Sequence, residues 1–310
     1  MKKSTRIMLI ISICLISVGI IFSAVGIAGN ASWRKAVTGG MWDTMLFTSD
    51  HYGNDFRKDG TYHTRADNLH TIKIDWYYGD ISVEIYNGSD ILISETSEEP
   101  LTKDNFLRYR AEDHTLKILS AANTAEIRFS PENPSAEPEK DLTIKIPKSF
   151  ADRLHNLKIS TISSDISICG LTLENLDLSS ENGDFKSRGL KADTADIYLG
   201  EGSMKADFLT CPSKLSFYAN RGDCLLGLPK NSRADCSYYT LSGQVRNDFE
   251  KANGKHSEND CSDSLKNSSG NDCNGSQTHQ GKIKIGRGGT NRLDLSTDEG
   301  NIRICRGSCF

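Results

Sequence analysis

The residues of this chain best suited to chemistry are its nine cysteines, and their placement points to pairing or burial. Cys14 lies inside an uncharged run, and Cys169, Cys211, Cys224, Cys236, Cys261, Cys273, Cys305 and Cys309 follow it. No two have the CxxC spacing that zinc knuckles and thiol redox motifs use to bring two sulfurs to one point, and the histidines are scattered. No metal site and no cofactor are expected. An oxidising compartment permits disulfides among the eight cysteines after Cys14, but spacing does not select the partners. Carboxylates are the next candidates, since some β-helical proteins cleave polysaccharides with acids clustered on one face. Here Asp165, Asp184 and Asp223 each directly follow a turn residue, where aspartate commonly bonds its own backbone. Glu84, Glu126, Glu174 and Asp177 alternate onto the solvent side. No set of histidine, arginine and carboxylate recurs at spacings that would gather it, so no catalytic residue is assigned and an enzyme is not expected. Arg221-Gly222-Asp223 matches an integrin-recognition tripeptide of other proteins, yet it fills a turn that already demands the glycine, and it reads as part of the repeat.

The element that must position all of these is a repeat. With Gly79, Ser164, Gly183, Gly202, Gly222, Gly243 and Gly300 as position zero, the neighbours form apolar columns. Seven before it stand Ile72, Leu157, Leu176, Ala195, Leu215, Cys236 and Leu293; five before it stand Ile74, Ile159, Leu178, Ile197, Phe217, Tyr238 and Leu295. Two after it stand Ile81, Ile166, Phe185, Met204, Cys224, Val245 and Ile302, with Val83, Ile168, Ser187, Ala206, Leu226, Asn247 and Ile304 two further on. Period-two alternation on both sides of a turn describes strands with one face in an apolar interior. From Ser164 the turns are 19, 19, 20 and 21 residues apart, so equivalent side chains of successive units should stack. The expected fold is therefore all-β, a solenoid or β-helix-like stack of about 19-residue two-strand repeats. In these columns Cys224 and Cys236 read as small buried hydrophobes or a buried disulfide, whereas Cys169 and Cys305, five after the turn, face outward.

The flanks complete the organisation. Residues 1–6 carry Lys2, Lys3 and Arg6, and 7–28 are 22 uncharged residues that reach about 33 Å as a helix, enough to span a bilayer core. The positive-inside rule puts 1–6 in the cytoplasm and the rest outside, which implies a single-pass protein of the cell membrane with an extracytoplasmic domain. A cleaved signal peptide is the rival, with Gly26-Ile27-Ala28 as its site, but the run exceeds the usual apolar length of such signals. Residues 29–68 are expected to be a juxtamembrane stem, 69–306 the β-repeat domain and 307–310 a tail. Within the domain, 131–140 reads as an exposed Pro/Glu-rich loop, and 250–280, rich in Ser, Asn, Gly and Asp, as a disordered insertion. Gly281 lies 19 residues before Gly300 and has Ile283 and Ile285 at the turn's following offsets, leaving the coil count around the insertion open. The net charge falls from −4 to −7 once the three basic residues before the span are set aside, which argues against nucleic acid as a partner.

The strand Leu142-Thr-Ile-Lys-Ile-Pro-Lys148, then Leu157-Lys-Ile-Ser-Thr and the strand–turn–strand units that follow, resemble the bacterial putative-adhesin family of β-strand repeats, over about 68–306. The resemblance implies a β-helix-like exported domain, often on an N-terminal membrane anchor, with no known function. Ser164 in place of glycine and the 250–280 insertion depart from the family's pattern. The expected function is that of a non-enzymatic surface-binding or adhesion module with a protein or glycan ligand; the alternative is an envelope structural or stress-response component that meets other membrane proteins.

Overall fold

A computed structural model of the chain describes residues 61–65, 68–101, 105–120, 138–249 and 278–310. All of them belong to one of two compact units, 51–310. The expected span 7–28 and most of the stem and of the insertion, with Cys14, Cys261, Cys273 and Glu126, lie outside the described residues. Among the described residues no helix is long and apolar enough to cross a membrane.

The described residues are all-β apart from one short helix. In chain order the first strands are β1 (Thr61–Thr64), β2 (Thr71–Tyr78), β3 (Ile81–Tyr86), β4 (Ile91–Thr96), β5 (Arg108–Glu112), β6 (Thr115–Leu119) and β7 (Asp141–Pro147), before the helix α1 (Lys148–Ala151). There follow β8 (Asn156–Ser163), β9 (Ile166–Cys169), β10 (Thr172–Asn182), β11 (Phe185–Glu201), β12 (Met204–Phe208), β13 (Lys214–Arg221) and β14 (Cys224–Leu228). The last are β15 (Ala234–Ser242), β16 (Val245–Asn247), β17 (His279–Ile285), β18 (Asn291–Glu299) and β19 (Ile302–Arg306).

These strands lie in two rows. One runs β5-β6-β2-β8-β10-β11-β13-β18-β15-β17. The other runs β1-β4-β7-β3-β9-β11-β12-β14-β19-β16, with the first half of the long β11 here and its second half in the first row. Interior strands are parallel, and only β1, β4, β5 and β17, at the ends, are antiparallel to their neighbours. The columns read from sequence are rungs: Leu157, Leu176, Ala195, Leu215 and Leu293 pair in turn, as do Ile166, Phe185, Met204, Cys224 and Ile302. All ten of these side chains are buried, so each rung completes the apolar interior of the next.

The rungs do not stack in chain order. The coil at Gly300 lies between those at Gly222 and Gly243, with β18 between β13 and β15 and β19 between β14 and β16. Burial explains the choice. Leu293, Leu295, Ile302 and Ile304 are fully apolar and meet neighbours on both sides, whereas the end coil carries Tyr238 and Val245, both only partly buried, and the polar Asn247. Gly281 is not a turn of the repeat but a mid-strand residue of β17, paired with Tyr238, and β17 covers the outer edge of β15. The insertion therefore follows a complete coil, β15–β16.

The other end shows two further differences from the sequence expectation. Thr61–Thr64, placed in the stem, is a strand on β4. Lys140, placed in an exposed loop, is buried at 1% exposure. Its Nζ donates to Glu95 Oε2 at 3.0 Å and to the Asn105 and Ser120 carbonyls, 5.0 Å from the centre of the Trp76 ring. Trp76 Nε1 donates to the Lys140 carbonyl at 2.8 Å, and both Glu95 oxygens accept the Leu107 N–H. Every partner comes from a different strand or connection, so one side chain ties the end cap to the first coil.

Candidate binding surfaces

The turn at position zero sets one edge of the stack. Gly183 N–H donates to the Glu201 carbonyl at 2.9 Å, Gly202 to Arg221 at 2.8 Å, Gly222 to Glu299 at 2.8 Å and Gly300 to Ser242 at 3.0 Å. Gly183 has φ +114°, and a Cβ there would collide with the Ser164 carbonyl oxygen beside it. Ser164 itself is not among the positive-φ residues and keeps its side chain, which bonds Thr161 Oγ1 at 2.6 Å.

The aspartates after these turns do not bond their own backbone as expected. Each reaches the next coil: Asp165 Oδ1 accepts the Asp184 N–H at 2.8 Å, Asp184 the Ser203 N–H at 2.9 Å, and Asp223 the Asn301 N–H at 2.7 Å. Ser203 and Asn301 fill the same role toward Asp223 and Gln244. The repeat spacing puts each carboxylate one strand separation from the amide it satisfies, and it serves as a clamp between coils. Arg221-Gly222-Asp223 is absorbed the same way. The Arg221 guanidinium lies between Glu299 (2.9 Å) and Glu201 (3.2 Å), and Asp223 is bonded to Asn301.

Of the other acids singled out, the three among the described residues are each paired with a basic side chain. Glu84 meets Lys145 at 3.2 Å, Glu174 meets His155 Nδ1 at 2.7 Å and Asp177 meets Lys158 at 3.7 Å. Among the described residues no three His, Cys, Asp or Glu side chains converge on a point that would hold a metal ion.

Sequence columns missed a histidine stack. His114, His70 and His155 occupy adjacent rungs just before the first row of strands, with ring centres 5.4 Å and 5.2 Å apart. Their Nδ1 atoms face the Asn68 carbonyl, the Arg153 carbonyl and Glu174. The offset nine before the turn pairs His70 with His155, but His114 belongs to the irregular cap and has no such marker.

On the outward side of the first row, Tyr198 and Tyr218 stack at 5.7 Å with their planes 15° apart. Burial raises both phenols above their ordinary range, helped by Glu181 at Tyr198 and by Asp298 at Tyr218. Both stay neutral, and Tyr218 Oη donates to Asp298 at 3.3 Å. An open cleft of about 530 Å³, bordered by Leu209, Cys211, Asn231 and Arg233, lies where the rows meet on the opposite edge.

Six cysteines fall among the described residues, all as free thiols. Cys224 and Cys236 are buried, as their columns require, and burial raises both, Cys236 to about 12. Cys169 is exposed. Cys305, expected on the outward face like Cys169, is instead only 6% exposed, because residues 307–310 fold back over it.

A family profile described as Toastrack DUF4097 matches residues 69–208 and again 153–286. Among solved structures, the chain is similar to a putative cell adhesion protein from Clostridium sporogenes, with 12% identity and a TM-score of 0.43 over 79% of this chain and 96% of that one. It is also similar to a putative adhesin from Bacteroides fragilis, with 14% identity and a TM-score of 0.38 over the same shares. The comparison with curated proteins gave no match.

Proposed function

The chain belongs to the Toastrack family, and we propose that this member is a non-enzymatic binding module, anchored by residues 7–28 and presenting the outer faces of its coils to a protein or glycan ligand outside the cell. The observation that carries this reading is the use of the polar side chains. The turn carboxylates and the Arg-Gly-Asp string are spent on clamping one coil to the next, and Glu84, Glu174 and Asp177 are each paired with a basic side chain. What the stack offers outward is area at a fixed spacing, as in repeat proteins that bind along an extended face. The Tyr198–Tyr218 pair adds amphipathic rings of the kind that dominate binding surfaces.

The test has two arms on cells carrying the full chain. A membrane-impermeant maleimide should label the exposed Cys169 in intact cells; labelling only after lysis would overturn the outward topology. Purified full chain should then retain a specific protein or glycan from an extracellular panel, and should keep doing so after residues 7–28 are removed. No ligand in the panel, together with membrane proteins that co-purify with the full chain and are lost on removing 7–28, would favour the alternative of an envelope component acting through other membrane proteins.

A further inference from the structure

Residues 307–310 are held on the outer face of the second row by contacts to β14, β12 and β11. The Gly307 N–H donates to the Leu228 carbonyl at 2.7 Å, turning the chain back beside β14. Asp207, on β12, then takes the next two residues: one carboxylate oxygen accepts the Ser308 hydroxyl and the other the Cys309 N–H at 2.8 Å. Phe310 ends under Arg188 and Lys205, whose charged groups lie 4.7 Å and 4.2 Å from its ring centre.

The register shows where this leaves Cys309. Asp207, Gly227 and Cys305 are successive rungs of one outward column. Gly227 has no side chain, and the Asp207 carboxylate leans over it into the space a Cβ would take. The Cys309 N–H bonded to that carboxylate is therefore held close to Gly227, the rung beside Cys305. Adjacent rungs lie about 4.8 Å apart and a disulfide needs roughly 4.4–6.8 Å between Cα atoms, so a cysteine held beside the neighbouring rung has Cys305 within reach. The Cys305 thiol is also near enough to raise that of Cys309. The tail also accounts for the burial of Cys305, since Cys169, at the same offset of the repeat, is exposed.

We propose that Cys305 and Cys309 are a disulfide-forming pair, and that the bond fastens residues 307–310 across the outer face of β14 and β12. The bond rests on the proposed location outside the cell only for its oxidant, a disulfide donor of the thiol–disulfide exchange class. A thiolate of the pair attacks the donor's S–S bond and releases one donor thiol. The second cysteine then displaces the other donor thiol, so the donor gains two electrons and two protons and the pair loses them. Burial, and after it the Cys305 thiol and the Asp207 carboxylate, holds the Cys309 thiol well above the ordinary cysteine range, so the exchange should quicken as pH rises.

Tryptic mapping tests the pairing directly, because Arg303 and Arg306 place the two cysteines in separate peptides. The full chain, alkylated before lysis, should yield residues 304–306 and 307–310 as one linked species that separates on reduction, and Cys309→Ser should abolish it. Alkyl label on both cysteines of the cell-derived protein leaves two readings, which oxidised glutathione on the reduced full chain tells apart. The linked species then appearing upholds the pairing and counts against the location outside the cell. Its absence there too, or linkage of either peptide to a different cysteine, overturns the pairing.

Discussion

Gly183 and Lys140 show how single positions hold this stack, and each gives a measurable outcome. At Gly183 the backbone has φ +114° with the Ser164 carbonyl against it, so Gly183→Ala should cost about 1–3 kcal/mol in urea unfolding. Lys140 and Glu95 form a buried pair, and removing one partner leaves the other charge without compensation. Glu95→Gln alone should therefore cost about 3–5 kcal/mol, while Glu95→Leu with Lys140→Met should recover most of that loss. Thermal denaturation of the single and double variants decides it, and equal destabilisation by both would contradict the pairing argument. The thiols divide in the same way. Iodoacetamide on the native chain should modify exposed Cys169 quickly and spare Cys224 and Cys236, which lie in the interior with raised thiols.

The clamps between coils make the turn edge sensitive to pH. Burial, and after it the carboxylates of Asp141 and Asp165, raise the Asp80 carboxyl above the ordinary range, against a smaller lowering by the Asp165 backbone and by Lys186. The folded chain thus keeps that proton to higher pH than the unfolded chain does. The associated stabilisation is full in acid and is lost as pH rises through the raised value. Asp80→Asn has no proton to lose and keeps the size of the side chain. It should be more stable than the native chain above that window, with the difference vanishing below the usual carboxylate range; urea midpoints from about pH 3 to about 8 would show it. These clamps were only half visible in the sequence. Alternation located the turns and marked Asp165, Asp184 and Asp223 as structural, because that pattern is local. Their partners lie one coil away, and only the register supplies them. The same limit hid Lys140: a Pro/Glu-rich neighbourhood looks solvated, and nothing local announces that Glu95, some 45 residues earlier, comes to meet it.

In the molecule taken whole, the all-β character and the apolar columns were legible because each coil repeats the same demand on its neighbours. The order of the coils was not, since every column entry fits next to every other. Leu293, Leu295, Ile302 and Ile304 contain the only local hint, being too apolar for an end rung. The irregular cap from β4 to β7 left still less trace, because it follows no period. The account stands on the coil at Gly300 being interior, with β18 paired on both edges. Deuterium exchange of the full chain tests this most directly. Amides of Leu293–Thr297 should exchange as slowly as those of Leu215–Ala219; exchange there faster than in Cys236–Thr240, as an outermost coil would show, would contradict it.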